Sequence, residues 1–299
     1  KSSQLSRLRR TLQILPLTLA MLGVLHAIQR PGPLSNFLTT TSRVHRAAHL
    51  RARRVSASAG SSAFDSMRKL RMPTTKGKTP VVLLMCGSFS PITLLHLRVM
   101  EQARDYFAFN SDFEVLGGFI SPVGDKYEKP SLAPAIHRRS MVCLATRSNP
   151  WLCVDTWEME RDVWSPTKEV VEHIRQQTND YIRTHVDTPS VEAKVMLVCG
   201  MDLLAGFRDS NLWTDDDLER ILKDGLVVMP RDGTSTEEAL ALPRLAPYLD
   251  RVHVLPYDNP NAVSSTLVRD LLKAGRSPRY LLPDDVLEYI YAHGLYMDR

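Results

Sequence analysis

Two short stretches combine small residues, hydroxyls and one basic side chain at a spacing that suits phosphate binding. Residues 86–96 read Cys-Gly-Ser-Phe-Ser-Pro-Ile-Thr-Leu-Leu-His, and residues 261–269 read Asn-Ala-Val-Ser-Ser-Thr-Leu-Val-Arg. A glycine turn lets the backbone approach a ligand, a helix start offers N–H groups to an anion, and an arginine fork matches phosphate. The expected chemistry is therefore binding and charge neutralisation of a polyphosphate.

The elements that must position these stretches are also visible in the sequence. Residues 81–85 are wholly apolar, which is typical of a strand buried on both faces of a parallel sheet, and apolar residues at helical spacing follow from residue 94. We therefore predict a strand, a turn and a helix, with Pro91 at the helix start and His96 one turn inside, aimed at the anion. In the second stretch Ser264 is a natural N-cap for a helix that runs to Ala274 and ends at Gly275.

These stretches resemble the signature of the nucleotidyltransferase superfamily that carries the (H/T)xGH motif, and in detail that of the eukaryotic nicotinamide mononucleotide (NMN) adenylyltransferases. Thr93 stands in the place of the first histidine, and Leu267 stands where the family usually has a lysine. The resemblance implies catalytic roles for His96 and Arg269. It also implies an ATP and phosphate site made of Gly87, Ser88, Phe89, Thr93, His96, Asn261, Ser265, Thr266 and Arg269.

A second group of residues follows predicted strands, where open α/β sheets bind ligands. By the resemblance, Lys129 contacts a substrate phosphate, and Trp164, Thr167, Leu212 and Trp213 bind NMN. An indole face can stack on the cationic nicotinamide ring. From the residues alone, Lys129 can equally be a solvated charge and the tryptophans can equally pack in the core or an interface.

Gly200 and Asp202 follow the predicted strand 194–199. A carboxylate there can accept hydrogen bonds from ribose hydroxyls, or it can cap the next helix. The match of residues 199–204 to the family pattern favours contact with a ribose or nucleotide.

The charge is unevenly distributed. Residues 1–80 contain 15 Lys and Arg and a single acid, Asp65, whereas the rest of the chain has 23 basic and 32 acidic residues. The part expected to fold is therefore acidic, which argues against nucleic acid as a partner. Strands and helices alternate over residues 80–299, so we expect an α/β, doubly wound parallel sheet, the Rossmann-like nucleotidyltransferase fold.

The Arg- and Ser-rich composition of residues 1–72 is typical of an organellar transit peptide. We therefore assign residues 1–79 to a basic N-terminal extension that targets a mitochondrion or another organelle, and residues 80–299 to the catalytic domain. Membrane contact is expected only through the apolar residues 12–28. A start at Met67 or Met72 would instead leave the protein in the cytoplasm or nucleus. Deletion of residues 1–72 is expected to leave the domain intact.

The function implied by the resemblance is transfer of the adenylyl group of ATP to NMN, and to nicotinate mononucleotide, within a homo-oligomer. Mg²⁺, or another divalent cation, would be bound through the ATP phosphates. Three alternatives remain at this point: transfer to another phosphate acceptor, a nucleotide-binding chaperone or regulator with weak catalysis, and a membrane-anchored structural protein. The four cysteines have no metal-ligand or redox spacing, so buried, reduced thiols are expected.

Overall fold

The computed structural model describes residues 67–127, 129–186, 191–231, 233, 235–256 and 263–297. These residues form a sheet of six parallel strands in the order β3-β2-β1-β4-β5-β6. The strands are β1 (Thr79–Gly87), β2 (Phe113–Pro122), β3 (Leu152–Val154), β4 (Lys194–Gly200), β5 (Leu226–Met229) and β6 (Val252–Val254). The predicted α/β, doubly wound parallel sheet is confirmed.

Helices alternate with the strands. They are α1 (Leu94–Asn110), α2 (Ala135–Thr146), α3 (Thr167–His185), α4 (Met201–Gly206), α5 (Asp215–Leu222), α6 (Thr236–Leu240), α7 (Ser265–Lys273) and α8 (Asp284–His293), with 3₁₀ turns at Glu158–Glu160 and Pro243–Arg251. Helix α8 ends at His293 because Gly294 adopts the left-handed conformation that terminates many helices.

Strand β1 lies at the centre of the sheet because its side chains are apolar on both faces. Val81, Val82, Leu83 and Leu84 are completely buried. Val81 and Leu83 belong to the hydrophobic core on one face, and Val82 and Leu84 belong to the core on the other. Burial on both faces explains why the sequence shows a continuous apolar run there instead of an alternating pattern.

The residues just before β1 correct the expected domain boundary. Met67 and Leu70 are buried in the hydrophobic core, and a Cβ on Gly117 would lie 2.9 Å from the Cδ1 atom of Leu70. Lys69 Nζ donates to the carbonyl oxygens of Thr146 (2.8 Å) and Leu152 (2.9 Å). The packed domain thus includes residues from Met67 onward, and residue 80 is too late as its start. Because residues 67–72 pack on the domain, we now expect their removal to destabilise it, unlike the removal of residues 1–66.

The remaining expectations for the N-terminal stretch fall on residues 1–66, including the apolar residues 12–28, and lie outside the described residues. Within the described ranges no helix is both long and apolar enough to cross a bilayer. None of the four cysteines forms a disulfide; Cys153 and Cys199 are buried, whereas Cys86 and Cys143 are only half-buried.

Candidate active site

The candidate site lies where the strand order reverses. Strands β2 and β3 extend the sheet on one side of β1, and β4, β5 and β6 extend it on the other. In a doubly wound sheet the connecting helices leave on opposite faces at this switch point, which opens a crevice beyond the carboxyl ends of the two strands. Strand β1 ends at Gly87 and strand β4 ends at Gly200. From the sequence, the residues that follow each of these glycines are expected to bind the nucleotide.

The phosphate turn, residues 87–93, is built around a buried aromatic ring. Phe89 is 2% exposed, has a φ of +43°, and its ring lies 3.2 Å from where a Cβ on Gly87 would be. The glycine therefore makes room for Phe89, and the Phe89 ring meets the His96 ring edge-on at 5.2 Å. The Phe89 side chain thus packs against the histidine ring, and its expected contact with a nucleotide stays a prediction.

His96 is oriented by Thr93, the N-cap of α1. The backbone N–H of Thr93 donates to His96 Nδ1 at 3.0 Å, and the Thr93 hydroxyl lies 2.7 Å from the same nitrogen. An accepting Nδ1 places the proton of the neutral ring on Nε2. Burial lowers the pKa of His96 from 6.5 to about 4, so the resting ring is a neutral donor. Thr93 is fully buried, and its hydroxyl contacts the His96 ring.

The start of α1 offers fewer free N–H groups than the sequence suggested. The N–H of Thr93 is taken by His96, and the N–H of Leu94 donates to the carbonyl of Leu281 at 2.9 Å. Pro91 lies in the turn before the N-cap and not in the first turn of the helix. At this end of α1, the hydrogen-bond donors for a phosphate would therefore come more from His96 Nε2–H and the turn than from the helix terminus.

Helix α7 docks directly on the phosphate turn. Ser264 caps the helix through Leu267 N, and Ser265 Oγ donates to the carbonyl of Pro91 at 2.8 Å. Arg269 donates through Nη1 to the carbonyl of Ser90 at 2.9 Å and through Nη2 to Thr266 Oγ1 at 3.2 Å. These bonds unite the two stretches in one site. Asn261, the remaining expected residue of the second stretch, lies outside the described residues.

Lys168 connects the two loops that carry Trp164 and Trp213, the tryptophans expected to bind the mononucleotide. The sequence analysis did not identify this lysine. Trp164 precedes α3 and Trp213 precedes α5, and Lys168 Nζ, in the first turn of α3, lies 2.8 Å from a carboxylate oxygen of both Asp216 and Asp217 in α5. The two tryptophan loops therefore emerge side by side. Trp164 is 54% exposed and Leu212 is 71% exposed, while Trp213 packs edge-on against Phe207 and Thr167 begins α3.

Gly200 and Asp202 lie at the carboxyl end of β4 as expected. A Cβ on Gly200 would meet no atom within 4 Å, so this backbone is open to close approach by a ligand. Asp202 is exposed and forms an ion pair with Arg231 at 2.6 Å, so ribose hydroxyls would have to compete with this arginine for the carboxylate. Lys129 is exposed in the loop after β2.

Arg138 of α2 is a second residue that sequence reasoning missed. It is fully buried and donates to the carbonyls of Ser88 (3.3 Å) and Ala133 (2.8 Å), and it forms an ion pair with Asp125 at 3.0 Å. It therefore joins the phosphate turn to the loop after β2. The only sequence signal was an arginine within the otherwise apolar face of α2.

Two buried carboxyl groups, Asp155 and Glu158, lie close to each other, and Glu158 is also near enough to Arg138 to be affected by its charge. Burial raises the pKa of Asp155 to about 6, and burial together with the charge of Asp155 raises the pKa of Glu158 to about 7, against the opposing effect of Arg138. The ring of Trp157 stacks on His173 at 4.2 Å, and the Arg161 guanidinium lies over the same ring at 4.5 Å from its centre. Trp157 is thus a packing residue.

The fold and the two phosphate-binding stretches define a nucleotidyltransferase, and residues 84–271 match the family described as cytidylyltransferase-like. The chain is 39% identical over 243 residues to nicotinamide/nicotinic acid mononucleotide adenylyltransferase 1 of Saccharomyces cerevisiae, with 79% of this chain and 60% of the yeast protein covered. It is 37% identical to the Bos taurus protein of the same name, with 73% and 89% covered. The chain belongs to the family of nicotinamide/nicotinic acid mononucleotide adenylyltransferases, which confirms the resemblance.

A solved structure supports the fold independently. The nicotinic acid mononucleotide adenylyltransferase of Plasmodium falciparum, complexed with NaAD, superposes with a TM-score of 0.51 at 15% identity, covering 73% of this chain and 97% of that one. At this identity the likeness concerns the fold alone. Coverage among the sequence relatives is uneven, since the chain spans only about three fifths of the yeast protein.

Proposed function

We propose that the protein transfers the adenylyl group of ATP to NMN, and to nicotinate mononucleotide, forming NAD or deamido-NAD and releasing pyrophosphate. The observation that carries the proposal is the docking of α7 on the phosphate turn, which brings His96 and Arg269 to one crevice. Family membership and the paired tryptophan loops support the choice of acceptor.

In the proposed reaction a phosphate oxygen of the mononucleotide attacks the α-phosphorus of ATP. A new P–O bond forms on one side, and the bond to the β-phosphate oxygen breaks on the other, so the electron pair leaves with pyrophosphate. The nucleophile is already an anion, and the protein therefore needs no general base. Its task is to align two polyanions and to neutralise charge. His96 Nε2–H and Arg269 would supply donors, and the nucleotide would enter as its Mg²⁺ complex.

Turnover measured with Mg·ATP and either NMN or nicotinate mononucleotide tests this proposal. We expect NAD or deamido-NAD to appear together with an equal amount of pyrophosphate. Phosphopantetheine, an acyclic phosphate acceptor, is the control, because it has no ring to stack on an indole. Pyrophosphate release with phosphopantetheine but with neither mononucleotide would overturn the proposed substrate.

The tryptophan loops give a prediction about one substrate only. Replacing Trp164 or Trp213 by Ala is expected to raise the KM for NMN about 10-fold, because stacking and a cation over indole are together worth roughly 1–2 kcal/mol. The KM for ATP should stay nearly constant, since the adenosine lies elsewhere in the site. Phe at either position should recover part of the loss. Steady-state kinetics with each substrate varied in turn measures both constants.

Phe109 provides the control for these variants. It is 83% exposed and lies at the opposite end of α1 from the phosphate turn, so Phe109→Ala removes an exposed aromatic ring outside the site. Neither KM should change in this variant. If Trp164→Ala raised the KM for NMN and the KM for ATP together, the indole would not be a nicotinamide contact.

Two further proposals concern the whole protein. We propose that residues 1–66 direct it to a mitochondrion or another organelle, on the basis of their basic, acid-poor composition. Fusion of these residues to a fluorescent reporter tests this, and a diffuse cytosolic signal would contradict it.

We also propose a homo-oligomer, which sedimentation of the purified protein would distinguish from a monomer.

A further inference from the structure

Ser90, in the phosphate turn, is a point at which three distant parts of the chain meet. Its side chain is buried, and its Oγ atom lies 2.9 Å from the hydroxyl of Tyr296 and accepts from the N–H of Ala133 at 3.0 Å. Its carbonyl accepts from Arg269 Nη1 at 2.9 Å. A contact that holds the Ser90 side chain in place therefore also restrains the Ser90 carbonyl, and this carbonyl orients the Arg269 guanidinium.

Tyr296 is held in place by more than this one hydrogen bond. It lies beyond α8, in a short segment of residues 294–297 whose apolar side chains pack against the core. Its φ is +62°, a conformation that bulky side chains rarely adopt and that persists only where the surroundings impose it. The N–H of Leu295 donates to the carbonyl of Ile290 at 3.1 Å and anchors the start of the segment.

Burial keeps the Tyr296 hydroxyl neutral. Burial raises the pKa of Tyr296 to about 12, although Arg269, Arg138 and the hydrogen bond to Ser90 act in the opposite direction. At neutral pH the phenol thus retains its proton and can donate to Ser90. The charges of Arg269 and Arg138 both act on this hydroxyl. Since each of these arginines donates to a carbonyl of the phosphate turn, the hydroxyl lies close to that turn.

We propose that Tyr296 is a positioning residue for adenylyl transfer: its hydroxyl holds Ser90, and through Ser90 it holds the turn and the Arg269 guanidinium in the geometry that the transition state requires. The inference rests on the proposed function, and it adds a residue outside both phosphate-binding stretches to the site. Tyr296 acts through Ser90 and needs no contact with the substrate.

Tyr296→Phe tests this inference because it keeps the ring and removes only the hydroxyl. The loss of one neutral hydrogen bond that aligns the turn is expected to lower kcat about 3- to 10-fold, with little change in the KM for NMN or in the melting temperature. Tyr289→Phe is the matched control. The Tyr289 hydroxyl lies at the same distance, 2.9 Å, from His137 Nδ1 and also interacts with Ser140, and neither partner belongs to the phosphate turn. Its kcat should equal that of the wild type.

A double-mutant cycle with Ser90→Ala tests whether Tyr296 acts on kcat through Ser90. If Tyr296 acts through Ser90, adding Tyr296→Phe to Ser90→Ala should not lower kcat further. Equal kcat values for Tyr296→Phe and Tyr289→Phe, or fully multiplicative losses in the double variant, would overturn the inference. Wild-type turnover is measured in the same series, so a failure of the proposed function would appear as no product from the wild type.

Discussion

Turnover by the His96→Ala variant is expected to be about 100- to 1,000-fold slower than that of the wild type, because a single donor aimed at the developing charge contributes about this factor. The variant loses Nε2–H and leaves the Thr93 N–H and hydroxyl without their partner on the ring. Loss of such a helix cap costs about 0.5–2 kcal/mol, which a folded domain tolerates. We would measure kcat with saturating ATP and NMN, together with thermal melts.

His253→Ala is the matched control for this variant. His253 also packs against α1, but through Tyr106 and Phe107 in the C-terminal half of the helix, and burial lowers its pKa as well. We expect its kcat to remain within about twofold of wild type, as for substitutions outside the reacting centre. Near-normal turnover by His96→Ala would reduce His96 to a capping residue.

The pH dependence of kcat/KM distinguishes a neutral His96 side chain from a cationic one. Because its pKa in the free enzyme is lowered from 6.5 to about 4, the ring is uncharged at all pH values above about 5. The ratio of kcat/KM for ATP between wild type and His96→Ala should therefore be constant from about pH 6 to 8, since kcat/KM reports the free enzyme. A ratio that rose as the pH fell through 6.5 would indicate that the imidazolium is the active form.

Deletion of residues 1–72 is expected to lower the free energy of unfolding by about 3 kcal/mol or more. The deletion removes Met67 and Leu70 from the core, and burial of each such side chain is worth about 1.5–3 kcal/mol. It also removes Lys69 and its two hydrogen bonds to backbone carbonyls. Against a total stability of about 5–15 kcal/mol this loss is large, and denaturant unfolding would measure it.

Deletion of residues 1–66 is the control, because it retains Met67, Lys69 and Leu70 and should leave the unfolding free energy unchanged. Leu70→Ala in the full chain provides an independent check, with an expected loss of about 2–5 kcal/mol for a buried leucine. If the two deletion variants unfolded at the same denaturant concentration, the packing of residues 67–72 would not contribute to stability.

The two deletion variants also correspond closely to chains that begin at Met72 and at Met67. The sequence offered Met67 and Met72 as alternative starts without a means to choose between them. The structure distinguishes them, since a start at Met72 would omit the buried Met67 and Leu70 while a start at Met67 would keep both. Their burial was not predicted from the sequence because the few apolar residues of this stretch stand among basic and polar residues and form no run long enough to identify a strand or a helix.

Local patterns were sufficient for the architecture and for the family. The apolar run at residues 81–85 identified the central strand because a strand buried on both faces leaves no polar position. The Ser264 cap and Gly275 bounded α7 because capping involves neighbours in the chain. The two phosphate-binding stretches identified the family because their residue types and order are themselves the signature.

Only the tertiary structure decided how those stretches become one site. Arg269 of the second stretch donates to the carbonyl of Ser90 in the first. Ser90 also contacts Tyr296, and Lys168 contacts the start of α5, across long separations in the chain. Arg138 appeared as one of three basic residues in a helix, and only the packed fold shows it to be fully buried beneath the phosphate turn. The physical reason is that a hydrogen bond between distant residues depends on where the packed elements place its two atoms, which no local periodicity encodes.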